Sequence, residues 1–303
     1  MSIRGLIPAS VTPMTPDYKI DEPSLRRYIR WLLGQGPHGV AVNVDTGEGP
    51  HLWPHERVRV LEIFAEEVNG QIPIIAGLGA SFTEQAVNLA QQAKSAGAGA
   101  LLVFPIGAFQ GTPLDPEVPY RYHAAVADVG LPLILFQLQP SLGGVEYPPD
   151  VIERLASIDQ VVAIKEASFD ALKYTRTLRV LECLPRPITM LTGNDNFIGE
   201  SFVLGAGGAL IGFGTLATDR QVEMVEAFEQ GDYERGMKIW YELMPLEEAV
   251  FGPPVRDYRA RTKAALHAIG VIDHATVRPP LLSPHPSQVQ LVVDLLKQVS
   301  GAA

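Results

Sequence analysis

Cysteine, basic charge and long apolar runs are all scarce in this chain. Its single cysteine, Cys183, excludes an intrachain disulfide and fits a reducing compartment. Lysine and arginine together number 24 against 34 aspartates and glutamates, a net charge of −10. With no basic stripe to displace counterions from phosphates, nucleic acid and anionic membranes are excluded as main partners. No apolar run reaches the ~18 residues that a membrane span requires, and Met1-Ser2-Ile3-Arg4-Gly5 lacks a signal-peptide core. The expectation is a soluble, cytoplasmic protein. Metal-ligand spacing is missing too: His51 and His55 stand four apart across Pro54 with no third partner in view, so no metal is expected.

What the chain does carry is core-forming material, 47% hydrophobic residues against 19% charged, enough for a large packed domain. Short apolar runs of strand character recur along it. They cover Gly5 to Pro13, Gly39 to Asn43, Pro73 to Gly77, Ala100 to Phe104, Pro132 to Phe136, Val161 to Lys165, Ile188 to Leu191 and Ala209 to Ile211. Helical spacing fills the intervals, as over Ser24 to Gln35, Pro54 to Glu67 and Thr83 to Gly97. Strands alternating with helices pair in parallel through right-handed crossovers, and eight such units close into a (β/α)8 TIM barrel. An open doubly wound sheet is the competitor. It would normally carry a glycine-rich phosphate loop after its first strand, and Thr12-Pro13-Met14-Thr15-Pro16 is not one. Beyond about Thr218 only helical patterns follow: Asp219 to Ala249 with a break near Gly231, Arg256 to Ile269, and Pro286 to Val299. The expected organisation is a barrel bearing the active site over residues 1–230 and a small helical C-terminal region over 231–303.

The run Val161-Val162-Ala163-Ile164-Lys165 has the small and β-branched character of a strand buried on both faces, and it ends in a lysine. An amine at the carboxyl end of a buried strand opens on the face where such barrels collect their chemistry. Partial desolvation there lowers its pKa and makes it a nucleophile for carbonyls. The alternative is a lysine that snorkels to water. Residues at or just past the strand ends are Thr12, Asp45-Thr46-Gly47-Glu48, Ser81, Gln110, Gln137, Gln139, Lys165-Glu166, Asn194-Asp195-Asn196 and Thr215. With one lysine and no arginine or histidine among them, they describe a site built on a covalent amine with neutral donors beside it. The Asp45-to-Gly49 loop either cradles a carboxylate with backbone N–H groups and a hydroxyl or is an ordinary connection with Glu48 a solvated charge. Phe104, Phe136 and Phe213 either suit an apolar substrate fragment or pack the barrel core.

These residues resemble those of the dihydrodipicolinate synthase/N-acetylneuraminate lyase family of class I, Schiff-base-forming aldolases. The resemblance rests on Ile164-Lys165-Glu166-Ala167-Ser168, Thr46-Gly47-Glu48, Gly193-Asn194-Asp195, Gly205-Ala206-Gly207-Gly208 and Arg278-Pro279-Pro280-Leu281. It implies that Lys165 condenses with the keto carbon of pyruvate or another 2-oxo acid while Thr46 and the Gly47 amide hold the carboxylate. Phe136, Gln137 and Leu210 complete the expected substrate-binding set. The covalent imine replaces any cofactor, and the partners implied are the 2-oxo acid and further copies of the chain in a homotetramer or homodimer.

Departures from the family pattern are equally specific. The family's strand-five tyrosine, which relays protons, is Phe136 here; a second tyrosine that crosses from a neighbouring subunit falls near Ile106-Gly107; a loop threonine is Asp45. The arginine that dihydrodipicolinate synthases use for the aldehyde partner falls at Ser141. The chain is therefore not expected to be a true dihydrodipicolinate synthase. The leading expectation is a lyase for aldol cleavage or addition. Dehydration of a 2-keto-3-deoxy sugar acid through the same imine and a non-catalytic 2-oxo acid binding barrel are the alternatives. Asp45 is expected to replace the missing phenol as general acid and base if it is buried against an apolar ring, or else to cap its loop.

Overall fold

The computed structural model describes residues 3–299. Among them, eight strands alternate with helices in chain order. The first half runs β1 (Gly5–Pro8), α1 (Glu22–Leu33), β2 (Val40–Val42), α2 (Pro54–Val68), β3 (Ile74–Leu78), α3 (Thr83–Ser95), β4 (Ala100–Val103) and α4 (Glu117–Ala127). The second runs β5 (Leu133–Leu138), α5 (Pro149–Ala156), β6 (Val161–Ala167), α6 (Ala171–Glu182), β7 (Thr189–Thr192), α7 (Ile198–Val203), β8 (Gly208–Ile211) and α8 (Thr218–Glu229). Neighbouring strands pair in parallel in the order β1-β8-β7-β6-β5-β4-β3-β2. The two ends of that order meet where Ala9 bridges Ala41, and the Ser10 amide and hydroxyl donate to the Ala41 carbonyl at 2.9 and 2.8 Å. The sheet thereby closes into a (β/α)8 barrel.

Side chains alternate across each strand and so build two cores. Ile7, Ala41, Ile75, Leu102, Ile134, Ala163, Leu191 and Leu210 fill the barrel interior. Their outward neighbours, such as Leu6, Val42, Leu101, Leu133 and Ile164, pack under the helices. In β6 the alternation slips once. Leu133 pairs with Val161 but Ile134 pairs with Ala163, so Val162 is an extra residue, a β-bulge. Val162 and Ala163 both face inward as a result, and the next inward position is Lys165. Without the bulge the lysine would point at the helix layer.

Several strand limits differ from the sequence expectation by one residue, and those of β1, β5 and β6 by more. β1 stops at Pro8 rather than Pro13, because after the Ala9 bridge the chain leaves the ladder. β6 runs two residues past Lys165, because β5 also extends and pairs Phe136, Gln137 and Leu138 with Lys165, Glu166 and Ala167. After α8 come α9 (Tyr233–Phe251), α10 (Tyr258–Ala268) and α11 (Pro286–Val299). The break falls at Gly231, which takes a left-handed φ of 79°. α9 packs along α8 and α11, and α10 returns to the carboxyl ends of the barrel strands. No helix among the described residues is long and apolar enough to cross a membrane.

Candidate active site

A cavity opens where the barrel strands end. Its floor and walls come from Thr46 after β2, Phe104 after β4, Phe136 and Leu138 on β5, Lys165 on β6, Asp195 after β7 and Gly212 after β8. Lys165 projects into it with its ammonium 4.5 Å from the centre of the Phe136 ring. Phe136 in turn meets Phe104 edge to face at 4.9 Å. Burial in these surroundings lowers the Lys165 pKa to about 8, against the opposing pull of the Asp195 and Asp45 charges. The lysine stem passes so close to Gly193 that a Cβ there would lie 2.5 Å from Lys165 Cε. Glycine at 193 is what lets β7 lie against the extended lysine.

Asp195 is the second buried ionisable group of the cavity, its carboxylate accepting the Phe213 amide at 2.8 Å. Burial pushes its pKa up to about 6. Behind it, Glu247 of α9 is buried and is pushed up to about 9, by burial first and then by the Asp195 charge. Lys165 thus shares the cavity with Asp195, whose ionisation burial opposes, and the Asp195 charge in turn opposes ionisation of Glu247.

The opposite wall belongs to the C-terminal helices. Tyr258 opens α10, stacks on Phe251 at 4.6 Å, and places its hydroxyl 3.3 Å from Thr46 Oγ1 while donating to Asp45 Oδ2 at 3.1 Å. Arg259 donates from Nε to the Asp45 carbonyl at 2.8 Å and pairs with the Asp45 carboxylate. Beneath this wall Glu48 is fully buried, ion-paired to Lys263 of α10 and accepting the Arg278 amide at 2.8 Å. The Arg278 guanidinium holds Glu56 at 2.6 and 2.8 Å and the His51 carbonyl at 2.7 Å. The motif residues Glu48 and Arg278 therefore fasten α10 and the chain after it onto the β2 loop. Among the described residues no three His, Cys, Asp or Glu side chains cluster to hold a metal ion.

The model of the dihydrodipicolinate synthetase family matches residues 2–299. The chain belongs to this family. It is 34% identical to the 4-hydroxy-tetrahydrodipicolinate synthase of Methanopyrus kandleri over 300 residues, 98% of this chain and 96% of the relative. Its fold superposes on the chloride-inhibited dihydrodipicolinate synthase of Acinetobacter baumannii, solved with pyruvate, with a TM-score of 0.86 at 29% identity, covering 99% of both chains. A monomeric dihydrodipicolinate synthase variant matches with a TM-score of 0.90 at 28% identity over 99% of this chain and 98% of that one.

Against that family background, the expected site residues divide. Lys165, Phe136, Thr46 and Asp45 line the cavity together. Gln137 does not: it follows Phe136 on β5, so alternation turns it toward the helix layer. There it donates to Glu166 at 3.2 Å and Thr177 at 3.0 Å and accepts the Tyr147 amide at 3.1 Å. Glu166 faces the same way and is held by the Asn194 amide at 2.7 Å and the Ser168 N–H at 3.1 Å. Gly47 is outside the cavity lining and packs on the end of β1, where a Cβ would come within 2.8 Å of the Ser10 carbonyl. Leu210 is fully buried in the interior core, outside the cavity lining. Phe213, too, is core.

Asp45 departs from its expected setting. Its side chain is 45% exposed and is claimed by Arg259 and Tyr258, so it is a hydrogen-bond acceptor at the rim rather than a carboxylate buried against a ring. The site also contains arginines, which the strand ends alone do not supply. Arg256 and Arg259 reach the cavity from the C-terminal region. Tyr258, Arg256 and Arg259 escape a reading of the sequence because nothing local marks a Tyr-Arg pair after two prolines as a partner of the β2 loop more than 200 positions earlier.

Proposed function

We propose that this protein is a Schiff-base lyase that cleaves or forms a 4-hydroxy-2-oxo acid through an imine at Lys165. The carrying observation is a lysine with its pKa lowered to about 8, aimed from β6 into a cavity with a hydroxyl on one side and apolar rings on the other. A neutral amine is what attacks a keto carbon, and the resulting iminium accepts the electron pair of the bond beyond. Thr46 and the neighbouring loop amides suit the 1-carboxylate. The rest of the substrate meets Phe104, Leu138, Leu142 and Phe169, so an apolar or aromatic aldehyde fragment fits better than a charged one. Ser141 is exposed, bonded to Gln139, and offers no cation to such a fragment, while the arginines of the lining, Arg256 and Arg259, are paired with Asp257 and Asp45. The relatives' names include dihydrodipicolinate synthase, and this wall is the reason for assigning a different aldehyde here. A cytoplasmic homo-oligomer goes with this reading.

The test is reductive trapping. Borohydride with pyruvate and a panel of 4-hydroxy-2-oxo acids is expected to add mass to the Lys165 peptide, and Lys165→Arg to abolish the label, since a guanidinium stays protonated. Wild-type enzyme should then release aldehyde from substrates with apolar C4 substituents. Water loss without aldehyde would reassign it as a dehydratase, and no label with any 2-oxo acid would leave a binding barrel.

A further inference from the structure

The imine chemistry needs a group that passes protons beside Lys165, and β5 supplies none: Phe136 turns a bare ring to the ammonium. A phenol nevertheless lines the cavity. Tyr258 is 7% exposed, its ring fixed by Phe251 and its hydroxyl set between Thr46 Oγ1 and Asp45 Oδ2. Its neighbours are those that a relay requires, a hydroxyl on the substrate side and a carboxylate on the rim side. The Arg259 guanidinium carbon lies 5.1 Å from its ring centre, a cation placed to steady a transient phenolate.

We propose that Tyr258 is the proton-transferring catalytic residue of this site, a phenol delivered by the C-terminal helix α10 instead of by strand β5. This rests on the reading of Lys165 as the imine-forming amine. The Lys165 lone pair attacks C2 of the 2-oxo acid, the carbonyl pair moves to oxygen, and a proton passes from the new N–H to that oxygen through the Tyr258 hydroxyl. The nitrogen lone pair then forms C=N as the C–O bond breaks, and the departing hydroxide takes the phenol proton to leave as water. An iminium and a phenolate remain, equal and opposite in charge. In cleavage the phenolate removes the proton of the C4 hydroxyl, the O–H pair becomes the aldehyde carbonyl, and the C3–C4 pair flows into the iminium. The products are an aldehyde, a neutral enamine and the phenol restored. At rest, burial and the Asp45 charge hold the phenol pKa well above its usual value, so the group begins as a donor. Asp45 then acts through Tyr258 as a positioning residue.

Tyr258→Phe keeps the stack on Phe251 and removes one oxygen. With a cleavable 4-hydroxy-2-oxo acid, kcat is expected to fall ~10²-fold or more, the usual worth of a positioned acid or base, while KM changes little. Single-turnover trapping at Lys165 should slow in parallel, and the melting transition should stay close to wild type. Phe136→Tyr, added in the Tyr258→Phe background, puts a phenol back beside Lys165 from β5. Recovery of rate there would tie the loss to the hydroxyl and not to packing. Trapping and turnover within twofold of wild type in Tyr258→Phe would overturn the proposal and leave the imine reading standing. Absence of trapping in wild type and Lys165→Arg alike would overturn both.

Discussion

An ammonium in water keeps its proton to beyond about pH 10. Lys165 does not, because its charge sits among Phe136, Ala167 and the cavity wall, where solvation is poor; the anions Asp195 and Asp45 recover part of what burial removes. Below about pH 8 the resting group is mostly ammonium and cannot attack a carbonyl; above it the amine is free. The initial rate of borohydride trapping at fixed, subsaturating pyruvate should rise ~10-fold per pH unit below the inflection and flatten above about 8, the pKa of a desolvated lysine. An inflection near 10 would show that the ammonium is solvated and the burial argument wrong. At this scale the lysine itself was legible in the sequence, as an amine on a run of small and β-branched residues. Its orientation was not, since it depends on the extra residue Val162.

Among the elements, α10 carries the most. It brings Tyr258 and Arg259 to the cavity and is fastened there by two ion pairs, Arg259 to Asp45 and Lys263 to Glu48, the second with both side chains fully buried. Lys263 also donates to the Thr276 carbonyl at 2.8 Å. Replacing one partner of such a pair leaves the other charge buried and alone, at about 3–5 kcal/mol. Lys263→Met should therefore lower the denaturation free energy by that order and weaken turnover as α10 loosens. The double variant Glu48→Gln with Lys263→Met should recover part of the stability, because no lone charge remains. Chemical denaturation followed by circular dichroism distinguishes these cases. A single variant as stable as wild type would mean that α10 is held by packing and by the Tyr258 and Arg259 contacts to Asp45, and that the buried pair adds nothing. The sequence named Glu48 as a loop residue of open role, and that role is set by a lysine 215 positions later.

At the scale of the whole molecule the question is assembly. The segment Ile106-Gly107-Ala108, where the family resemblance calls for a tyrosine crossing between subunits, forms the start of a short 3-10 turn ending at Phe109. Phe109 is buried against Tyr122 at 5.4 Å within its own chain. If Tyr258 supplies the phenol, each barrel carries its own proton-transfer group and association is not needed for chemistry. Light scattering at micromolar concentration should show more than a monomer. Dilution to the monomer should cost little activity per site. Loss of activity in step with dissociation would mean that a second copy completes the site after all.

Periodicity alone determined the barrel. Short apolar runs separated by helical spacing have few ways to bury both faces, and eight of them close. The lysine, the β2 loop and the family were likewise written locally, in contiguous residue types. What only the tertiary structure decided were the relations that local pattern does not encode. One is the phase of β6, where a single bulge swings Lys165 inward. Another is which of Phe136 and Gln137 faces the cavity: alternation fixes only that they face opposite ways, and the register of β5 in the closed barrel turns Gln137 toward Thr177. The last is the arrival of Tyr258 beside Thr46, separated by 212 positions in the chain. A contact of that separation is fixed by how α9 and α10 pack on the closed barrel. No stretch of sequence short enough to carry a pattern contains both residues.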